Sequence, residues 1–151
     1  MLPEKSFLFL FVLLVGMLSL DAQNRTIVTL SEGWKFRKGE TKDAHTVGIK
    51  DAAWQTVSVP HDWAIAGPFI LDGNGSTGKL PWQGQAWYRR DLVIPAAAAG
   101  QRMYLIFDGV MAFPKVYING KLAGEWDYGY NSFSVDITDF VTPGGKNVLA
   151  V

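Results

Sequence analysis

From residue 23 onward the sequence never runs far without a turn former, and that spacing leaves no room for a long helix. Short apolar segments at 27–30 (leading into Gly33-Trp34-Lys35-Phe36), 54–59, 86–94 and 102–107 stop at Pro60, Pro95 or Asp108-Gly109. Residues 115–118 meet Asn119-Gly120, a two-residue type I′ hairpin signal, and 121–126 return. In 132–137 the alternation is clean: Phe133, Val135 and Ile137 share one face, Ser132, Ser134 and Asp136 the other. Residues 147–151 begin one more strand, and the helix candidate at 96–99 is too short to stand alone. About seven short strands at intervals of roughly 10–15 residues predict an all-β, antiparallel β-sandwich or jelly roll. The 20 aromatic residues (6 Trp, 5 Tyr, 9 Phe) and 16 Gly favour the same class.

Size and charge remove several functions. A chain of 151 residues is too short for an α/β barrel, which needs roughly 250. Lys+Arg and Asp+Glu balance at 14 each, so the basic surplus that phosphate binding demands is missing, and nucleic acid is not an expected partner. With no Cys and only His45 and His61, thiol catalysis, disulfides and a multi-histidine metal site are out of reach. No cofactor is expected.

The N-terminus reads as an export signal. Lys5 precedes an uncharged apolar run over 7–20, shorter than the roughly 20 residues a membrane span needs. Asp21 ends the run and Ala22 is the cleavage residue, so the domain division is 1–22 signal peptide and 23–151 mature domain. Leu20 sits where a small residue is preferred, and an uncleaved anchor is the alternative. Export to a secreted or periplasmic location follows, with no membrane contact after cleavage.

The main irregularity lies between Pro60 and Trp87, where Pro60, Gly67-Pro68, the 73–78 stretch and Gly84 break the chain. A loop of some 20 residues carrying its own aromatics is either functional or a packed crossing between sheets. Trp63 and Trp82 fall in it and Trp126 falls in another loop, whereas Trp34, Trp54 and Trp87 lie in strand patterns and belong in the core. A loop indole offers a flat face to the C–H side of a sugar and an N–H to a hydroxyl. The competing use is burial of that face against a neighbouring domain. Asn74, in an Asn-Gly-Ser sequence, serves as a turn former in the same Gly-rich loop.

Other polar groups read as structural. His61-Asp62 has the composition of a proton-transfer pair, but no nucleophile accompanies it, and side-chain to backbone bonds holding the loop entrance are favoured. Glu125 and Asp127 would share a face at i, i+2 on a strand, the arrangement a retaining glycosidase could use. Gly124 and Gly129 argue for a turn there, and solvated carboxylates are the simpler reading. Arg89 and Arg90 alternate across a strand, with a surface or interdomain ion pair as the default. The chain ends within an apolar strand at Leu149-Ala150-Val151, which predicts a missing neighbour, an exposed edge near Val148 and Val151, and a piece of something longer.

Four stretches taken together resemble the N-terminal sugar-binding domain of glycoside hydrolase family 2, especially bacterial β-galactosidases. They are 54–63 (WQTVSVPHDW), 86–90 (AWYRR), 107–110 with 116–121 (FDGV, VYINGK), and 129–133 with Asp136-Ile137 and 147–151. The resemblance covers 31–151 and implies a galactose-binding-domain-like jelly roll. It implies a parent enzyme that hydrolyses β-galactosides or related oligosaccharides through two glutamates in a downstream barrel, beyond an immunoglobulin-like domain. This chain then holds no catalytic residue. Trp63, Asn74 and Trp82 become substrate-rim or sugar-contact candidates. The alternatives are a free-standing secreted carbohydrate-binding β-sandwich module and a purely structural surface β-sandwich.

Overall fold

The computed structural model describes residues 25–151 except 66, 69, 74, 78 and 81–83. The proposed signal peptide, Asn74 and Trp82 therefore lie outside the described residues.

Eight strands form: β1 (Trp34–Lys38), β2 (Gln55–Val57), β3 (Ala86–Asp91), β4 (Tyr104–Phe107), β5 (Lys115–Ile118), β6 (Lys121–Glu125), β7 (Phe133–Asp136) and β8 (Val148–Ala150). Every pairing is antiparallel. One six-stranded sheet has the order β2-β1-β3-β8-β5-β6, and β4 pairs with β7 in a second. The expected all-β class holds, and three local features refine it. Residues 27–30 are not a strand; Ile27 and Val28 stay exposed, and the first ladder begins after Gly33. Residues 96–98 form a single 3-10 turn. Gly124 lies within β6 and not in a turn, where its missing side chain lets the strand approach the second sheet: a Cβ there would meet Val135 Cγ1 at 3.0 Å.

The C-terminal strand corrects a larger expectation. β8 is not an edge: Arg89 faces Ala150 on one side and Tyr117 faces Ala150 on the other. Leu149 and Ala150 are fully buried. An apolar run without polar alternation suits a central strand covered on both faces, which is what the residues Val-Leu-Ala provide.

Two cores follow from the side-chain alternation of the large sheet. Trp34, Phe36, Val57, Val116, Ile118 and Leu149 point toward the small sheet and meet its Leu105, Phe133 and Val135. The opposite face carries Trp87, Arg89, Tyr117 and Ala150. It is covered by the 39–54 segment, whose Ala44 and Trp54 are buried against it. There Arg89, 1% exposed, donates from Nε to Asp51 Oδ2 at 3.0 Å and from Nη1 to the Ala44 carbonyl. The ion pair, expected at the surface or between domains, is thus a buried clamp within this domain. Arg90 points the other way, stacks over Trp34 at 5.5 Å and donates to the Glu32 carbonyl. The three strand tryptophans are core, as their pattern requires.

Candidate functional site

Strand registers gather several loops at one end of the molecule. Lys38 faces Ala86, so β1 ends where β3 begins. The Tyr88 N–H bonds the Val151 carbonyl at 2.9 Å, Tyr117 faces Ala150, and Lys115 faces Glu125. Phe107 faces Phe133 in the small sheet. The segments leading into 86 and the loops 108–114 and 126–132 therefore share that end with Val151.

Residues 58–63 travel to it across the sheet. The Val59 N–H bonds the Ser31 carbonyl at 2.8 Å, and the chain then lays His61 and Trp63 on β1 and β3. His61 packs edge-on to Phe36 with ring centres 4.7 Å apart, and its Nδ1 lies 2.9 Å from the Tyr88 hydroxyl. Asp62 Oδ1 accepts the backbone N–H groups of Ala64 at 2.9 Å and Ile65 at 3.3 Å. Asp62 fixes the loop entrance through the side-chain to backbone bonds expected from sequence, whereas the His61 imidazole bonds the Tyr88 side chain and not the backbone. Trp63 is half-buried, tilted against Phe36 at 6.4 Å with the Lys38 ammonium 5.5 Å from its ring centre. One part of its surface is thus committed to the fold. Trp82 and Asn74 lie outside the described residues.

Burial, and secondarily the Asp62 carboxylate, pushes the Tyr88 pKa up to about 12. An unfolded tyrosine titrates near 10, so the folded protein holds this proton more tightly. The resulting stabilisation is complete below about pH 10 and lost as pH rises through about 12. Phenolate absorbance titration checks this. Tyr88→Phe is expected to lack the late component near pH 12; a late component surviving in the variant argues against the assignment.

A second aromatic group joins the end of β4, the start of β7 and the loop after β6. Phe107, Phe133 and Trp126 form a continuous stack: Phe107 to Phe133 at 4.8 Å and 12°, Phe133 to Trp126 at 5.6 Å and 6°. Trp126 Nε1 donates to Asn131 Oδ1 at 2.9 Å. The alternation of aromatic and polar residues over 126–131 was the available signal. Glu125 ends β6 opposite Lys115 and Asp127 follows the strand; both are exposed, in keeping with solvated carboxylates. Among the described residues no group of three metal-ligating side chains occurs.

Residues 29–151 match the sequence model of a family described as glycosyl hydrolases family 2, sugar binding domain. A β-galactosidase of Bacteroides ovatus is 40% identical over 120 residues, covering 78% of this chain and 14% of that enzyme. A β-glucuronidase of Formosa agariphila is 30% identical over 134 residues, covering 87% of this chain and again 14% of the relative. Among solved structures, a β-glycosidase from Bacteroides vulgatus superposes with a TM-score of 0.74 at 35% identity, over 82% of this chain and 16% of that one. A Bacteroides uniformis β-glucuronidase gives 0.73 at 31% identity, over 84% and 14%. The chain thus spans about one seventh of the length of these relatives.

Proposed function

Because the chain belongs to the sugar-binding domains of glycosyl hydrolase family 2, we propose that it acts as the non-catalytic N-terminal domain of a longer, secreted β-glycoside hydrolase. The match across 29–151, in an all-β chain of antiparallel sheets, is the observation that carries this reading. The finer fold is a galactose-binding-like jelly roll. The substrate is a β-galactoside or a related β-linked oligosaccharide; relatives named as β-galactosidases and as β-glucuronidases are both similar to the chain. The partners are immunoglobulin-like and barrel domains following Val151, and the two catalytic carboxylates belong to that barrel. The loop running from Trp63 through Asn74 to Trp82 supplies substrate-rim contacts. Residues 1–22 direct export to a secreted or periplasmic location.

The test is threefold. Sequence downstream of the Val151 codon is expected to continue in frame for several hundred codons with βα alternation. The chain alone is expected to leave aryl β-galactosides and β-glucuronides intact; turnover abolished by Glu125→Gln would place the chemistry here and overturn the reading. N-terminal sequencing of exported protein is expected to begin at Gln23, and retention of 1–22 on membranes would replace the cleaved signal with an anchor.

A further inference from the structure

Asn119-Gly120 is a chemically reactive pair as well as a turn. Glycine has no Cβ to shield its backbone nitrogen, so the Gly120 nitrogen can attack the amide carbon of Asn119. A bond from that nitrogen to Cγ closes a five-membered succinimide, the Cγ–Nδ2 bond breaks, and ammonia leaves with the Gly120 proton. Water then opens the ring at one of its two carbonyls. One opening gives aspartate, and the other gives isoaspartate, whose main chain runs through Cβ.

The fold ties the amide elsewhere. Asn119 Nδ2 donates to the Phe140 carbonyl at 2.9 Å and to Asn147 Oδ1 at 3.0 Å, and Oδ1 accepts the Val148 N–H at 2.9 Å. The Asn119 N–H donates to the Val148 carbonyl, also at 2.9 Å. β5 pairs with β8 through Ile118 and Leu149, so these bonds carry the ladder one residue into the turn, with Oδ1 standing in for the backbone acceptor. The side-chain bonds to residues 140, 147 and 148 must break before Cγ can swing onto the Gly120 nitrogen. The 45–46 segment confines the turn as well, since a Cβ at Gly120 would lie 3.7 Å from Thr46 Cα.

Neither product fits the place the amide occupies. Aspartate turns an oxygen toward the Phe140 carbonyl and Asn147 Oδ1, both acceptors, so two bonds become repulsions. Isoaspartate adds a methylene to the main chain inside a turn whose φ of 52° and 83° set the two-residue geometry. The strand that loses its anchor is β8, which lies between β3 and β5 in the large sheet. Conversion therefore weakens the sheet near its middle.

We propose that Asn119 is a self-modification site gated by the fold. Bonded to the 140–148 segment, it stays an amide. When that segment lifts from the turn, in a local opening short of complete unfolding, it converts to aspartate and isoaspartate. The converted chain cannot restore the native bonds, so openings of β8 are recorded covalently. The device depends on the turn and the strand it anchors, and it holds whatever the parent enzyme acts on.

The experiment incubates the purified chain in mildly alkaline buffer, with and without concentrated urea, and digests it with trypsin. Cleavage after Lys115 and Lys121 isolates residues 116–121, where Asn119 is the one amide side chain, and mass spectrometry reads the gain as amide becomes acid. Asn119 is expected to convert at least tenfold more slowly in buffer than in urea; similar rates overturn the proposal. Asn147→Ala removes one acceptor of the Asn119 amide and is expected to raise the rate in buffer at least tenfold over wild type. Asp51→Ala, which loosens the 39–54 segment and leaves the amide bonds in place, is expected to raise it less. Equal rises at equal loss of stability make global unfolding the gate, and overturn the proposal. Should Asn147→Ala not fold, the wild-type comparison decides by itself. Asn119→Asp, made directly, is expected to melt below wild type, and an unchanged midpoint overturns the claim that the product misfits.

Discussion

Asp51→Ala is expected to cost about 3 kcal/mol of stability, roughly 10 °C in melting midpoint. The Arg89 side chain is 2% exposed, and among the described residues the one carboxylate it pairs with is Asp51, at 3.0 Å. Without it a guanidinium is left beneath the 39–54 segment with the Ala44 carbonyl as its remaining partner. Breaking a buried pair from one side costs about 3–5 kcal/mol because the surviving charge is uncompensated. Asp51 keeps 32% exposure, so water reaches part of the site and the lower figure applies. Arg89→Met is expected to cost less, about 1 kcal/mol, because it removes the charge, roughly keeps the length, and leaves a carboxylate that can hydrate. The double variant should then be more stable than Asp51→Ala alone, a coupling that urea unfolding of the four proteins measures. Equal losses in both single variants would show that Arg89 acts through packing and not as a charge clamp.

That clamp shows where sequence reasoning stopped. Trp87 and Tyr88 are adjacent on β3, and aromatic residues on both sides of one strand already signalled a sheet covered on both faces. The cover is a polar segment containing Lys42, Asp43, Lys50 and Asp51, with no strand or helix pattern, so nothing in its composition marked it as structure. Arg89 therefore read as a surface or interdomain group. β8 failed for a different reason. Its apolar run was legible, but pairing order is set by contacts between residues far apart in the chain, and period-2 patterning does not encode them. By contrast, the Asn119-Gly120 turn was legible because its chemistry is local: φ of 52° and 83° at these residues is the geometry Asn-Gly favours.

The candidate site divides along the same line. Asp62 bonds its own backbone within three residues, so its role could be read from sequence. His61 and Tyr88 are 27 residues apart, and only the path of the loop across β1 brings them together. The aromatic surface on the 126–131 loop was half legible. Trp126 stood out as a loop indole, while its anchoring by Phe133 and the adjacency of the Phe113 loop are tertiary facts. Family motifs identified the domain despite these gaps, because they lie mainly in strands and turns whose chemistry is local.

Asn147 shows how much one unremarked residue can organise. It is 1% exposed, and all four of its side-chain bonds are made. Oδ1 accepts from the Thr142 N–H at 2.7 Å and from Asn119 Nδ2 at 3.0 Å, while Nδ2 donates to the carbonyls of Thr142 at 2.9 Å and Gly145 at 3.2 Å. Asn119 in turn accepts the Val148 N–H at 2.9 Å, so the β5–β6 turn, the 138–146 loop and the start of β8 share one amide network. Asn147→Ala strips partners from several part-buried groups at about 1–3 kcal/mol each, partly relieved by relaxation, for an expected loss of roughly 3–5 kcal/mol. Asn147→Asp distinguishes the bonds. The carboxylate keeps both acceptor bonds but faces two carbonyl oxygens, so its folded pKa is raised above the unfolded value near 3.9. Stability of the Asp variant is then greatest below about pH 4 and falls as pH rises through the raised folded pKa. The Asp variant's deficit against wild type is therefore expected to shrink between pH 7 and pH 4, while that of the Ala variant stays constant. A deficit that is flat for both would mean the two donor bonds contribute nothing, and that the network is held by its acceptor side alone.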